Sequence, residues 1–222
     1  MTTAIILAAG KSERMGTNVD KAFLSLVDKP VVAWSLLAFE RCAAIDRIVL
    51  VVRKEQQLAA KAVTKMFGIS KLDKIVAGGR TRSESVAAGF AACDLDTRIV
   101  VVHDGARPLV KGELIAEVVE AAKKFPSVTV GRPVTDTLKR CEKSITVTET
   151  VPREKLWAVQ TPQAFQVKEF RAAVKALGKK SASDDCQMME LNGVTTKIVE
   201  SCKPNIKVTT PDDLLVASML LK

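Results

Sequence analysis

At 222 residues, 47% hydrophobic and 27% charged, the chain suits one globular domain with a sizeable core. Its net charge of +9, from 34 basic and 25 acidic residues, points to an anionic partner. The basic residues are dispersed in runs of at most two, and with 4% aromatics and no tyrosine there is little for bases to stack on, so small phosphorylated ligands are expected and nucleic acid is not.

In chain order, Ala4, Ile5, Ile6 and Leu7 form an apolar run that reads as a buried parallel strand. It empties into Ala8, Ala9 and Gly10, whose N–H groups a bulky anion can approach, while Arg14 and Lys21 add positive charge. This is the layout of a phosphate-handling loop, although an ordinary strand-to-helix loop explains the spacing equally well. It is not a P-loop, because the position five before Gly10 is Ile5. Nothing between Gly10 and Gly16 fits the dinucleotide fingerprint. Residues 30–42 read as an amphipathic helix with Pro30 at its first position. A strand is expected at 47–52, a helix at 55–67 stopped by Gly68, and a short strand at 74–76 ahead of Gly78 and Gly79. Thr81 and Glu84 predict a capping box opening a helix that runs to about residue 92. A β-branched strand at 98–102 runs into His103, Asp104, Gly105, Ala106, Arg107 and Pro108, followed by a helix at 113–124 and a strand beginning at 128–130.

Such alternation implies a parallel sheet with helices on both faces and ligands at the carboxyl ends of its strands. The loops after Leu7, Val76 and Val102 then share one edge. From 135 to 151 the pattern becomes that of a two-stranded antiparallel arm. An isolated hairpin is marginal in water, so the arm is expected to pack against something, a second subunit being the obvious candidate. Helical patterning returns at 168–177 and 183–191. The chain closes with a strand at 206–209 and a helix with Thr210 as cap, Pro211 in its first turn, and Asp212 and Asp213 at its positive end. No apolar run approaches a membrane span, and no basic segment precedes the apolar N-terminus, so a cytoplasmic protein without a membrane segment is expected.

Several residues have a functional reading and a plainer one, level in the case of Asp104. Asp104, at a strand end, suits a metal or a substrate hydroxyl, or merely caps the next turn. Gly78 and Gly79 admit a base or a phosphate, or make a plain turn. Asp184 and Asp185 read as the solvated first turn of a helix capped by Ser181 or Ser183. Lys207, flanked by apolar residues, reads as a lysine on a sheet edge. The single histidine, His103, excludes mechanisms that need two. The five cysteines lack any C-x-x-C pair and read as reduced thiols, which argues against a zinc ribbon or a disulfide scaffold.

Taken together, the ordered segments Leu7-Ala8-Ala9-Gly10 with Arg14 and Lys21, Gly78-Gly79-x-x-Arg82-x-x-Ser85, Val102-His103-Asp104-Gly105-Ala106-Arg107-Pro108, Asp136-Thr137 with Arg153, Trp157-x-x-Gln160-Thr161-Pro162 and Asn205-Ile206-Lys207 closely resemble the 2-C-methyl-D-erythritol 4-phosphate cytidylyltransferases. The sister ribitol-5-phosphate cytidylyltransferases typically carry glycine in place of Ala9 and differ around the arm and Trp157. The resemblance implies an α/β fold: one Rossmann-like domain with a mostly parallel twisted sheet, helices on both faces, and a dimerising β-arm at about 135–155. It implies transfer of a cytidylyl group from CTP to methylerythritol phosphate, with Mg²⁺ bound mainly through the CTP phosphates. Arg14, Lys21 and Lys207 would be catalytic. Ala8, Ala9, Gly10, Gly79, Arg82 and Ser85 would hold the nucleotide. Asp104 and Arg107, with Thr137 and Arg153 from a partner's arm in a homodimer, would bind the second substrate. The chain departs from the family's usual pattern at Asp20, Ala22, Phe23, Arg80 and Gly105.

Overall fold

The computed structural model describes residues 1–10, 20–142, 145–178 and 182–221. In chain order the elements are β1 (Thr2–Ala8), β2 (Ser25–Leu26), β3 (Lys29–Pro30), α1 (Val31–Arg41), β4 (Arg47–Val52), α2 (Gln57–Met66), β5 (Leu72–Ala77), α3 (Arg82–Ala91), β6 (Ile99–Asp104), α4 (Gly112–Ala122), β7 (Ser127–Pro133), β8 (Leu138–Cys141), β9 (Val147–Val151), β10 (Trp157–Gln166), α5 (Val167–Leu177), α6 (Asp185–Leu191), β11 (Lys197–Glu200) and α7 (Pro211–Leu220).

Among the described residues, seven strands form one sheet in the order β11-β7-β10-β6-β1-β4-β5. β1 lies at its heart, parallel to β4 on one side and to β6 on the other. It reads as an unbroken apolar run because both of its faces are covered. Ala4, Ile6 and Ala8 point into a core that includes Leu36 and Phe39 of α1 and Ile115 and Val118 of α4. Ile5 points the other way, into a core with Val86 of α3, Phe170 of α5 and Met189 of α6. The period of two along β1 therefore separates the two helical layers. Burying side chains of this size stabilises by about 1.5–3 kcal/mol each, which makes β1 a rigid base for the loop that leaves it. Among the described residues, no helix is long and apolar enough to cross a membrane.

The structure departs from the expected elements in several places. β10 was not foreseen, yet it is a ten-residue strand lying antiparallel between β6 and β7, so the sheet is mostly parallel and not wholly so. Its register shifts between Gln160 and Gln163, which breaks the regular alternation a sequence pattern needs. The closing strand is β11, parallel to β7, and residues 206–209 are irregular. Val208 is fully buried with Leu26, Val31 and Ala217, and Ile206 packs against the same group. The alternation there reflects docking onto α1 and α7 and not a sheet ladder. Pro30 is the N-cap of α1 instead of its first residue, because its extended backbone pairs across a hairpin with Ser25. The capping box at Thr81 is half made: Thr81 Oγ1 accepts from Glu84 N, but the Glu84 carboxylate accepts from Arg80 N instead. The complete capping box is at Thr210, paired with Asp213. β8 and β9 pair antiparallel in a two-stranded sheet of their own.

Candidate active site

The parallel strands β1, β4, β5 and β6 deliver their carboxyl ends to one edge, where they border a cleft of about 570 Å³. Ala8, Ala9 and Gly10 form one wall and Gly78, Gly79 and Ser85 the facing wall. The walls approach so closely that a Cβ on Gly78 would lie 2.5 Å from Ala9 Cβ and 2.8 Å from Ser85 Oγ. No side chain fits there, so glycine is required for packing. The N-terminus of α3 closes this end. Ser85 Oγ donates to Thr81 O and accepts from Gly79 N, which fixes the glycine pair against the first turn. The first turn of α3 carries the positive end of its helix dipole toward the cleft.

At the other end the chemistry is ionic. Asp104, the last residue of β6, receives Lys207 Nζ at 2.7 Å, with Arg82 Nε at 3.6 Å and Arg107 Nε at 3.8 Å. Burial alone would raise its pKa, but Lys207, Arg82 and Arg107 together hold it well below the usual carboxylate range. Arg82 also donates to Asp185 Oδ2 at 2.7 Å. Burial works against its charge, and Asp185, Asp104 and Asp184 more than restore it, so the guanidinium stays ionised. The extended segment carrying Lys207 is pinned without a ladder. Val208 N donates to Ala106 O, Arg107 Nη1 donates to Asn205 O, and Asn205 Nδ2 donates to Thr161 O. Lys21 reaches the same cleft from a short 3₁₀ turn, Lys21–Phe23.

Of the residues singled out in the sequence, Ala8, Ala9, Gly10, Lys21, Gly79, Arg82, Ser85, Asp104 and Lys207 all line this one cleft. Arg14 lies outside the described residues. Arg107 is not among the lining groups. Its side chain turns inward, 11% exposed, and ties its loop to Asn205. Thr137 and Arg153 belong to the arm region, where Arg153 Nη1 donates to Thr135 O, and neither lines this chain's cleft. The expectation for Asp184 and Asp185 is corrected. Asp184 itself caps α6, accepting from Gln187 N and Gln163 Nε2, and Asp185 is buried as the partner of Arg82. The cleft also contains Asp20, noted in the sequence only as a departure from the family's pattern, and Arg53 and Lys54, which the sequence reading passed over. The rule that placed the other loops would have found Arg53 and Lys54, since they follow a parallel strand directly.

The chain matches the family described as IspD: 2-C-methyl-D-erythritol 4-phosphate cytidylyltransferase over residues 2–222. A curated relative from Pelotomaculum thermopropionicum with that enzyme name is 43% identical over 222 residues, covering 99% of this chain and 93% of its own. Another from Alkaliphilus metalliredigens is 39% identical over 222 residues, covering 99% and 92%. Among solved structures, 2-C-methyl-D-erythritol 4-phosphate cytidylyltransferase from Thermus thermophilus superposes with a TM-score of 0.81 at 32% identity, covering 99% of this chain and 98% of that one. A 4-diphosphocytidyl-2C-methyl-D-erythritol synthase from Anaerococcus prevotii gives 0.86 at 28% identity, covering 99% and 97%.

Proposed function

The chain belongs to the 2-C-methyl-D-erythritol 4-phosphate cytidylyltransferase family, and from that premise we propose that its cleft converts CTP and 2-C-methyl-D-erythritol 4-phosphate to 4-diphosphocytidyl-2-C-methyl-D-erythritol and pyrophosphate. A phosphate oxygen of the sugar phosphate attacks the α-phosphorus of CTP. A new P–O bond forms as the bond to the β-phosphate breaks in line, and pyrophosphate leaves with the electron pair. The nucleophile is already ionised near neutral pH, since the second phosphate pKa is about 6, so no general base is needed. What the reaction needs is positioning and neutralisation of charge.

Within this reading, the narrow end formed by Ala8, Ala9, Gly10, Gly79 and Ser85 holds the cytidine. Arg82 holds Asp104 in place beside it. Lys21 and Lys207 flank the α-phosphate, with Arg14 as a further cation. Asp104 accepts a hydroxyl of the second substrate while keeping Lys207 oriented. The donor set suits Mg²⁺ that would arrive on the triphosphate: the cleft carboxylates Asp20 and Asp104 are already paired with Arg53 and Lys207, and among the described residues no group of three or more His, Cys, Asp and Glu could hold the ion. When bound, Mg²⁺ would be held mainly by the CTP phosphates and would supply neutralisation of their charge. The arm, paired only with itself in its sheet and largely exposed, supplies Thr137 and Arg153 to the cleft of a second subunit in a homodimer. Both substrates are charged metabolites that do not cross membranes unaided, which fits a cytoplasmic enzyme.

The observation that carries the proposal is the convergence of Lys21, Lys207 and Asp104 on the cleft whose far wall is the glycine slot. The test is pyrophosphate release from CTP and Mg²⁺ with methylerythritol phosphate or ribitol 5-phosphate offered separately. A large preference for the former is expected. Equal release with both, or release with neither, would refute the assignment.

A further inference from the structure

A carboxylate beside a site for a triphosphate repels its ligand unless something neutralises it. Asp20 is such a carboxylate: its side chain is 1% exposed, and it lines the cleft immediately before Lys21. Two of its contacts are local. Oδ1 accepts from Ala22 N at 3.2 Å, and the backbone O accepts from Phe23 N at 2.9 Å, so Asp20 caps the turn that carries Lys21. Ala22, in the same turn, is 3% exposed and packs into the main core, so the turn is held on both sides. The third contact is distant in sequence. Oδ2 accepts from Arg53 Nε at 3.2 Å, joining the turn to the loop after β4. Arg53 is 34% exposed, and its Nη groups remain for phosphate oxygens.

We propose that Asp20 is a positioning residue for the transfer: it sets the turn that presents Lys21, and it holds Arg53 at the phosphate end of the cleft as a further cation for the triphosphate. The inference rests on the CTP reading above. It makes Asp20 and Arg53 a neutral pair, so the local cap adds no net negative charge where phosphate binds.

Steady-state kcat and KM for CTP, with thermal midpoints, would be measured for Asp20→Ala, Asp20→Asn, Arg53→Met and the Asp20→Asn/Arg53→Met double variant. Asp20→Ala should lower kcat about tenfold or more through displacement of Lys21, with a smaller change in KM. Asp20→Asn keeps an acceptor for Ala22 N and should restore kcat to within about threefold of wild type. Arg53→Met leaves the carboxylate unpaired and should raise KM for CTP about tenfold. Adding Asp20→Asn to Arg53→Met should bring KM back toward wild type. A lowered thermal midpoint in Asp20→Ala with unchanged kcat would overturn the inference, reducing Asp20 to a structural cap. A double variant with KM no better than Arg53→Met would overturn it as well. Wild-type turnover is the internal reference: its absence refutes the CTP reading and this inference together, whereas normal wild-type turnover with an unaffected Asp20→Ala refutes the inference alone.

Discussion

His103 makes the stability of the site's floor depend on pH in a way that can be worked out in advance. The ring is fully buried beneath the cleft, with its centroid 5.0 Å from that of Phe39. Arg107 O can only accept, so His103 Nε2 donates to it at 3.4 Å. In the neutral ring Nδ1 then accepts from Thr161 Oγ1 at 3.2 Å, whose oxygen also accepts from Asp104 N. Burial pushes the pKa down to about 3, with Asp104 pulling it up and Arg107 and Lys207 pushing it further down. An unfolded histidine titrates at about 6.5, so between these values the unfolded chain binds a proton that the folded chain does not. Stability from this group is therefore complete above about pH 6.5 and falls as the pH drops toward about 3, by roughly 3 kcal/mol between pH 6.5 and pH 4.5. The assay is urea unfolding of wild type and His103→Gln from about pH 7.5 to about pH 4.5, where the difference between the two curves removes the contribution of shared carboxylates. The variant should be less stable at neutral pH through poorer packing, and its deficit should shrink or reverse in acid. Parallel curves would refute a buried neutral histidine.

Lys21→Ala and Lys207→Ala should each lower kcat by about 3–4 kcal/mol of transition-state stabilisation while weakening CTP binding less; near-normal kcat in both would remove them from the transfer step. Gly78→Ala should raise KM for CTP and cost about 1–3 kcal/mol of stability, because its Cβ meets Ala9 and Ser85 inside contact distance, and an unchanged KM would show that the slot is not the nucleotide site. Lys21→Ala and Arg153→Ala homodimers should both be nearly inactive yet regain activity when their subunits are exchanged, since one site of each heterodimer then has both groups. No recovery, with exchange confirmed independently, would rule out an arm that acts in trans.

The parts of the fold legible in the sequence were those where local pattern and tertiary role agree. β1, β4 and β6 are short apolar runs because helices cover both faces of the sheet at its centre, and burial on both faces is what an unbroken run encodes. β10 was hidden by a conflict of levels. Its first residues are exposed and its last are buried, and a register shift lies between them, so no single period describes the strand. Residues 206–209 failed in the opposite sense: a clean alternation arose from packing on α1 and α7, and periodicity alone does not distinguish a sheet neighbour from a helix neighbour.

The site divides along a similar line. Loops that leave parallel strands could be placed from topology, and the cleft gathers Ala8, Gly79 and Asp104 as that argument requires. What topology did not supply was which charges pair. Arg82 lies 103 residues from Asp185 and Arg53 lies 33 from Asp20, yet each pair is joined across the cleft wall. An aspartate in a first helical turn looks solvated from its neighbours in sequence, and Asp185 is buried because α6 brings its N-terminus against Arg82 of α3 and Gln163 of β10. Burial of a charge is a property of what arrives from elsewhere in the chain, so the cations and anions of this cleft were individually visible in the sequence while their partnerships were not. Those partnerships separate the two readings of Lys207: paired with the buried Asp104 at the cleft, it is not the solvated lysine of an open sheet edge.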